Sequence, residues 1–262
     1  MLRALYSSAS GMESQQMNLD VIANNLANVN TTGFKKAKIE FQDLLYQTKR
    51  AAGAESGPGT QVPTSLQVGH GARPVSTAKI FTAGEIMSTG ERLALANHGN
   101  GYFKVTLADG TNAFTRDGGF KLDSTGQIVT SDGLPVTSFA GVTISPEATN
   151  VSISQTGIVS VTQNGTTSTA GSLVLSRFAN SAGLENIGAN LYRETPASGT
   201  EQTGEPSNAG MGTVQQGYLE LSNVKVVEEM VNLIKAQRAY EINSKAIQAA
   251  DEMMSMSNRL RG

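Results

Sequence analysis

Apolar positions along this chain repeat with two different periods, and the change of period divides it. Near the start, Leu5, Met12, Leu19 and Leu26 stand seven apart, with Ala9 and Ala23 four places after two of them. This heptad seam predicts a helix of roughly 25 residues, or roughly 38 Å at 1.5 Å per residue. No Pro interrupts it, and Gly33 stands where a helix stop is expected. Asn24, Asn25, Asn28 and Asn30 weaken its last turns.

The far end carries a stronger helical pattern. Ala239, Ile242, Ala246, Ala249, Met253, Met256 and Leu260 alternate by three and four. A second stripe, Val226, Leu233, Tyr240, Ile247 and Met254, repeats every seven on another face. Ser222 or Asn223 is the expected cap, with Glu228 and Glu229 near the start and Arg259 and Arg261 at the end, as the helix dipole favours. One helical partner covers one such stripe. With a single helix at each end, the chain can pair them once, which leaves the second stripe in water. Burying one large apolar side chain is worth about 1.5–3 kcal/mol, so a row of them is a drive to associate. The helical ends are therefore expected to form a subunit–subunit surface.

Between the ends the period shortens to two. Tyr102 to Leu107 alternates, Asp109-Gly110 turns, and Asn112 to Arg116 returns. Asp117-Gly118, Asp132-Gly133 and Asn164-Gly165 punctuate further short runs, and such dipeptides supply the positive φ that tight hairpins need. This predicts an all-β unit. Gln47 to Pro74 and Thr195 to Gly212, rich in Gly and Pro, read as irregular connections. Within the first, Val62, Leu66 and Val68 are apolar, and Pro58, Pro63 and Pro74 lower the entropy cost of ordering an extended path. These three apolar residues are candidates for a contact with a neighbouring subunit that would stiffen a polymer.

The expected fold class is α+β: long N- and C-terminal α-helices paired as a coiled-coil-like layer, with a central all-β domain. Boundaries fall at 1–35 for the first helix, 36–74 for the extended connection, 75–215 for the β domain and 216–262 for the last helix.

Composition narrows the function. Charged residues are 16% of the 262, and the net charge is -2, too weak a field to draw in nucleic acid or an anionic membrane. The charge is unevenly placed: Ser124 to Ser176 has no Lys or Arg, whereas Leu219 to Gly262 holds twelve charged residues. There is no Cys, hence no thiolate site, and the two His are few for a transition-metal site. His70 and His98 fall in expected loops and are given no role. Glu228 and Glu229 are adjacent, so they point to different faces of the helix. No apolar run reaches the roughly 18 residues that span a bilayer, and the first segment lacks the apolar stretch of a cleavable secretory signal. No enzyme motif is present, so neither catalytic residue, cofactor nor metal is expected.

Leu19 to Lys35 (LDVIANNLANVNTTGFK) resembles the N-terminal signature of the flagellar rod and hook proteins. Gln216 to Val224 (QGYLELSNV) and Gln237 to Ile247 (QRAYEINSKAI) resemble their C-terminal signature, and Ala113 to Val136 their shared β core. Gly183 to Thr195, with the chain length, fits the distal-rod branch best. Pro58 to Val75 is similar to a rod-specific segment that hook subunits lack. The resemblance implies a homo-polymer, a hollow helical tube with the paired helices inside and the β domain outside. It implies a basal-body location reached through the flagellar type III export apparatus, and proximal rod, hook, P-ring and L-ring proteins as partners. It also implies a drive shaft that carries torque to the hook. A proximal rod or hook subunit is the alternative within the family. Outside it, a monomeric β-rich secreted binding module fits the Ser/Thr/Gly-rich centre but not the double-striped helix. A secreted hydrolase would need a convergent catalytic set that the sequence does not offer.

Overall fold

A computed structural model describes residues 2–57, 60–139, 141–145, 148–208 and 210–259. Leu260, Arg261, Pro58, Gly59 and Glu147 lie outside the described residues. The chain divides by its contacts into two units. The first gathers residues up to Leu26, Ala37–Ala78 and the chain from Lys225 onward; the second gathers Ala27–Lys36 and Lys79–Val224. Composition drew the boundaries differently. The short segments 27–36 and 216–224, read as parts of the helical ends, pack with the strand-rich unit.

In the first unit, α1 spans Leu2–Ala27 and α2 spans Val226–Arg259. The first helix stops six residues before Gly33. Asn28 begins a turn in which its carbonyl accepts from the Thr31 N–H (3.2 Å) and its Oδ1 from the Thr31 hydroxyl (3.2 Å). An asparagine that satisfies a turn with its own side chain competes with the helix. The expected caps of α2 are also displaced. Its first bond runs from the Glu229 N–H to the Lys225 carbonyl (3.0 Å), so Ser222 and Asn223 lie ahead of the cap position. In the second unit Asn223 accepts from the Lys36 N–H (2.8 Å) and donates to the Ile80 carbonyl (2.8 Å). The two acids of the first turn, Glu228 and Glu229, and Arg259 in the last stand as the dipole prefers.

The stretch 47–74 is not irregular. Tyr46–Arg50 pairs antiparallel with Leu66–Gly69, and Glu55–Gly57 with Thr60–Gln61, while Ala37–Asp43 pairs with Ala72–Lys79. The strand Tyr46–Arg50 is exposed throughout, so no alternation of apolar and polar residues betrays it. Thr195 to Gly212 likewise holds a strand, Gln202–Gly204, paired with Leu175–Arg177.

The second unit is built of short antiparallel strands, and two of its hairpins fall at Asp109-Gly110 and Asn164-Gly165, whereas Asp117-Gly118 closes none. Phe103–Thr106 pairs with Asn112–Thr115 across Gly110 (φ +82), and Ile158–Gln163 with Thr166–Ser172 across Asn164 (φ 51) and Gly165 (φ +81). Consecutive positive φ values are the signature of a twist-matched two-residue turn. Its main core runs from Leu95 and Phe103 through Phe120, Ile128, Val136 and Phe139 to Val159 and Leu175, with Phe103 edge-on to Phe120 at 5.0 Å. A second cluster joins Tyr102, Phe114, Phe178 and Tyr192. The chain is of the α+β class, two helices flanking a strand-rich centre in sequence.

Candidate assembly interface

The two stripes of α2 meet different fates. At 3.6 residues per turn they lie about 140° apart around the helix. Along one line, Glu229, Ala236 and Ala250 are buried, with Asn243, Ile247, Leu233 and Met254 half-buried beside them. Of the heptad stripe, Leu233, Ile247 and Met254 belong to this covered side; Tyr240 is 39% and Val226 47% exposed at its margin. The stripe spaced by three and four lies on the opposite side: Ile242 is 65%, Met256 56% and Met253 49% exposed, Ala246 and Ala249 are exposed, and Ala239 is half-buried. Val227, Val231 and Ile234 extend that bare apolar side toward the helix start.

α1 and α2 meet at two points a fixed spacing apart. A side chain on Gly11 would place Cβ 2.9 Å from the Asn243 Nδ2, so Asn243 packs over the bare glycine backbone. Two heptads later, Asn25 Nδ2 donates to Glu229 Oε2 (3.2 Å) and to the Ala37 carbonyl (2.9 Å), and Asn25 Oδ1 accepts from the Ala37 N–H (2.9 Å). Asn25 and Glu229 are buried, and so are Ser14 and Ile22. The predicted seam residues Leu5, Met12, Leu19 and Leu26 are only half-buried. The sequence period finds the helix but not the face it turns inward.

Of the stiffening candidates, Val62 is buried in its own hairpin, where its N–H meets the Ala54 carbonyl (3.0 Å) and its carbonyl the Gly53 N–H (2.8 Å). That removes it from any surface contact. Leu66 is exposed and Val68 half-buried. Leu45 (87% exposed) and Tyr46 join them as exposed apolar residues that sequence reading missed.

Sequence reading also missed a buried charge cluster in the second unit. Lys35 is 0%, Glu220 2% and Arg116 3% exposed. Lys35 Nζ donates to Glu220 Oε1 (2.6 Å) and to the Thr82 carbonyl (2.7 Å). Arg116 Nε lies 3.2 Å from Glu220 Oε2, Nη2 donates to Glu220 Oε1 (3.5 Å), and Nη1 donates to the carbonyls of Gly99 (2.6 Å) and Gly101 (2.5 Å). Burial pushes the Lys35 ammonium below its usual range, and Glu220 opposes that shift. Each member lies in a different signature segment, 19–35, 113–136 and 216–224. That distribution was the available signal.

Among the described residues no three His, Asp or Glu side chains gather to hold a metal ion. His98 is exposed on the Leu95–His98 strand, opposite Thr213, and His70 is half-buried ahead of Ala72–Lys79. No described helix is long and apolar enough to cross a membrane. Two long helices, one with a bare apolar side, and a separate strand-rich unit define a class of protein whose candidate site is a surface.

Comparison with known families gives that class its place. Residues 5–35 match the family described as flagella basal body rod protein, 96–161 the flagellar hook protein FlgE/F/G D1 domain, and 215–260 the flagellar basal body rod FlgEFG protein C-terminal. The flagellar basal-body rod protein FlgG of Borreliella burgdorferi is 49% identical, over 100% of this chain and 99% of its own. That of Caulobacter vibrioides is 46% identical over 99% and 100%, whereas the rod protein FlgF of the same bacterium is 36% identical over 95% and 94%. The chain belongs to the FlgG family of flagellar basal-body rod proteins.

Proposed function

We propose that the chain is a structural subunit of the distal flagellar rod, and that its copies assemble through α1 and α2 into the inner layer of a hollow helical polymer. The observation that carries this reading is the bare side of α2, where Val227, Ile234, Ile242, Met253 and Met256 stay exposed after the intramolecular contacts are made. A second copy removes that surface from water. The half-buried Leu5, Met12, Leu19 and Leu26 of α1 offer a second contact line. In this reading the strand-rich unit lies outward, the exposed hairpin residues Leu45, Tyr46 and Leu66 reach a neighbouring copy at larger radius, and the polymer carries torque toward the hook within the P and L rings. Proximal rod and hook proteins would adjoin it end to end, and subunits would arrive through the type III apparatus.

Helical reconstruction of the assembled protein by electron cryomicroscopy tests the reading. Ile242, Ala246, Ala249 and Met253 are expected within van der Waals contact of another copy. A polymer in which that side of α2 faces solvent overturns it.

A further inference from the structure

The Lys35–Glu220–Arg116 cluster has no part in the assembly surface, yet one buried carboxylate there gathers four separated segments. Besides Lys35 and Arg116, Glu220 Oε1 accepts from the Gly84 N–H (2.9 Å), and the Glu220 carbonyl accepts from the Gly33 N–H (2.8 Å). Gly33 has φ +68, and a Cβ there would lie 2.7 Å from the Arg116 carbonyl carbon. The turn 28–33 therefore lies directly on the backbone that follows Asn112–Thr115. Arg116 in turn holds the Gly99 and Gly101 carbonyls, which belong to the connection between Leu95–His98 and Phe103–Thr106. These contacts tie residues 33–35, 82–84, 116 and 220 to one another, and 99–101 to them through Arg116.

The balance within the cluster is asymmetric. Two cations share one carboxylate, so Glu220 is the member whose loss leaves two buried positive groups facing each other. Loss of Lys35 leaves a one-to-one pair of Arg116 with Glu220. Uncompensated buried charge is among the largest single penalties a fold can carry. Lys35 and Glu220 also lie far apart in the chain, one near each end of the second unit, on segments that contribute little to its apolar core.

We infer that this cluster is a folding latch, which makes completion of the strand-rich unit conditional on both of its chain ends, 28–36 and 216–224, being in place. A chain that emerges from its N-terminus cannot close the unit until Glu220 has followed. Such a subunit stays open while it is still threaded through any channel or bound to its source, and closes on release. The inference concerns the strand-rich unit alone and stands whether or not α2 mediates polymerisation.

Hydrogen exchange on the full-length chain tests it, read at the amides of Phe103–Val105 and Ala113–Thr115. Glu220→Gln is expected to lower protection there by at least tenfold, although neither strand contains the altered residue. Lys35→Met is expected to lower it less, and Lys35→Met combined with Glu220→Gln to recover part of the loss. Protection kept in both strands of Glu220→Gln while residues 33–36 and 82–84 lose theirs would overturn the latch, as would equal damage from the two single variants. Should Glu220→Gln not yield soluble protein, the unaltered chain decides in a urea series. The latch requires residues 33–36, 82–84 and 103–115 to lose protection in one transition, and separate transitions refute it.

Discussion

Two alanines on α2, Ala236 and Ala246, separate the internal from the external role of this helix. Ala236 is 2% exposed and lies on the line that includes Glu229 and Asn243, both of which meet α1. Ala246 is exposed on the other side, between Ile242 and Ala249. In the monomer, Ala246→Asp costs only the difference in helix propensity, about 0.5–0.7 kcal/mol. In a polymer that covers this side, the carboxylate is buried without a partner, at about 3–5 kcal/mol per contact. That is roughly two to three orders of magnitude in each association constant, repeated at every subunit. Ala236→Asp instead places its carboxylate inside the monomer's own helix contact. Circular dichroism of the monomer should show near-normal helix for Ala246→Asp and a clear loss for Ala236→Asp. Sedimentation should show neither variant polymerising. Polymerisation of Ala246→Asp at the normal protein concentration would refute the assignment of this side to a subunit contact.

Three further outcomes follow from other features. Burial lowers the pKa of Lys35 and Lys79 below the usual 10.5, so the folded state sheds these protons before the unfolded chain does. Stability should therefore rise with pH toward about 10, then fall as Tyr102 and Tyr192, whose pKa values burial raises above the usual 10.0, favour the protonated folded state; urea midpoints of Lys35→Met should show a shallower rise. Replacing Leu45, Tyr46 and Leu66 together by Ser should leave a polymer that assembles but bends, since contacts at larger radius resist curvature most; straight filaments in electron micrographs would remove the hairpin from that role. The chain has no native Cys, so Asn18→Cys with Ala236→Cys should form an intramolecular disulfide on oxidation if the Gly11–Asn243 and Asn25–Glu229 contacts fix a continuous antiparallel register. Asn18→Cys with Lys235→Cys should not, and the reverse result on a non-reducing gel would reject that register.

The double striping of α2 was legible because periodicity registers apolar residues on every face, whatever covers them. It predicted that the second stripe would remain bare, whereas Ile242, Met253 and Met256 of the first are the more exposed. The hairpins of the strand-rich unit were legible for a different reason: Asp-Gly and Asn-Gly fix backbone conformation locally, with no help from distant residues. The strands Tyr46–Arg50 and Leu66–Gly69 were not legible, since neither buries a face and their pairing leaves no alternation to read. Gly33 misled as a helix stop because its positive φ serves a turn against Arg116, while Asn28 ends the helix earlier.

The half-burial of the α1 seam bears on how such a subunit could divide its labour. A search for large apolar residues finds Leu5, Met12, Leu19 and Leu26, which are half-buried, whereas Gly11 and Asn25 each meet α2. Small residues let helix backbones approach closely, and a buried polar pair such as Asn25 with Glu229 restricts register at some cost in stability. Large side chains gain most where they meet a complementary surface, and here they are held at the edge of the intramolecular contact or beyond it. In the proposed polymer, such a subunit would gain more apolar burial from association than from its own helix contact. Helices of this kind draw most of their stability from packing, so in the proposed polymer neighbours that cover the remaining sides would firm the pair. The strand-rich unit needs no such help, because its aromatic and aliphatic clusters and its buried charges are completed within one chain.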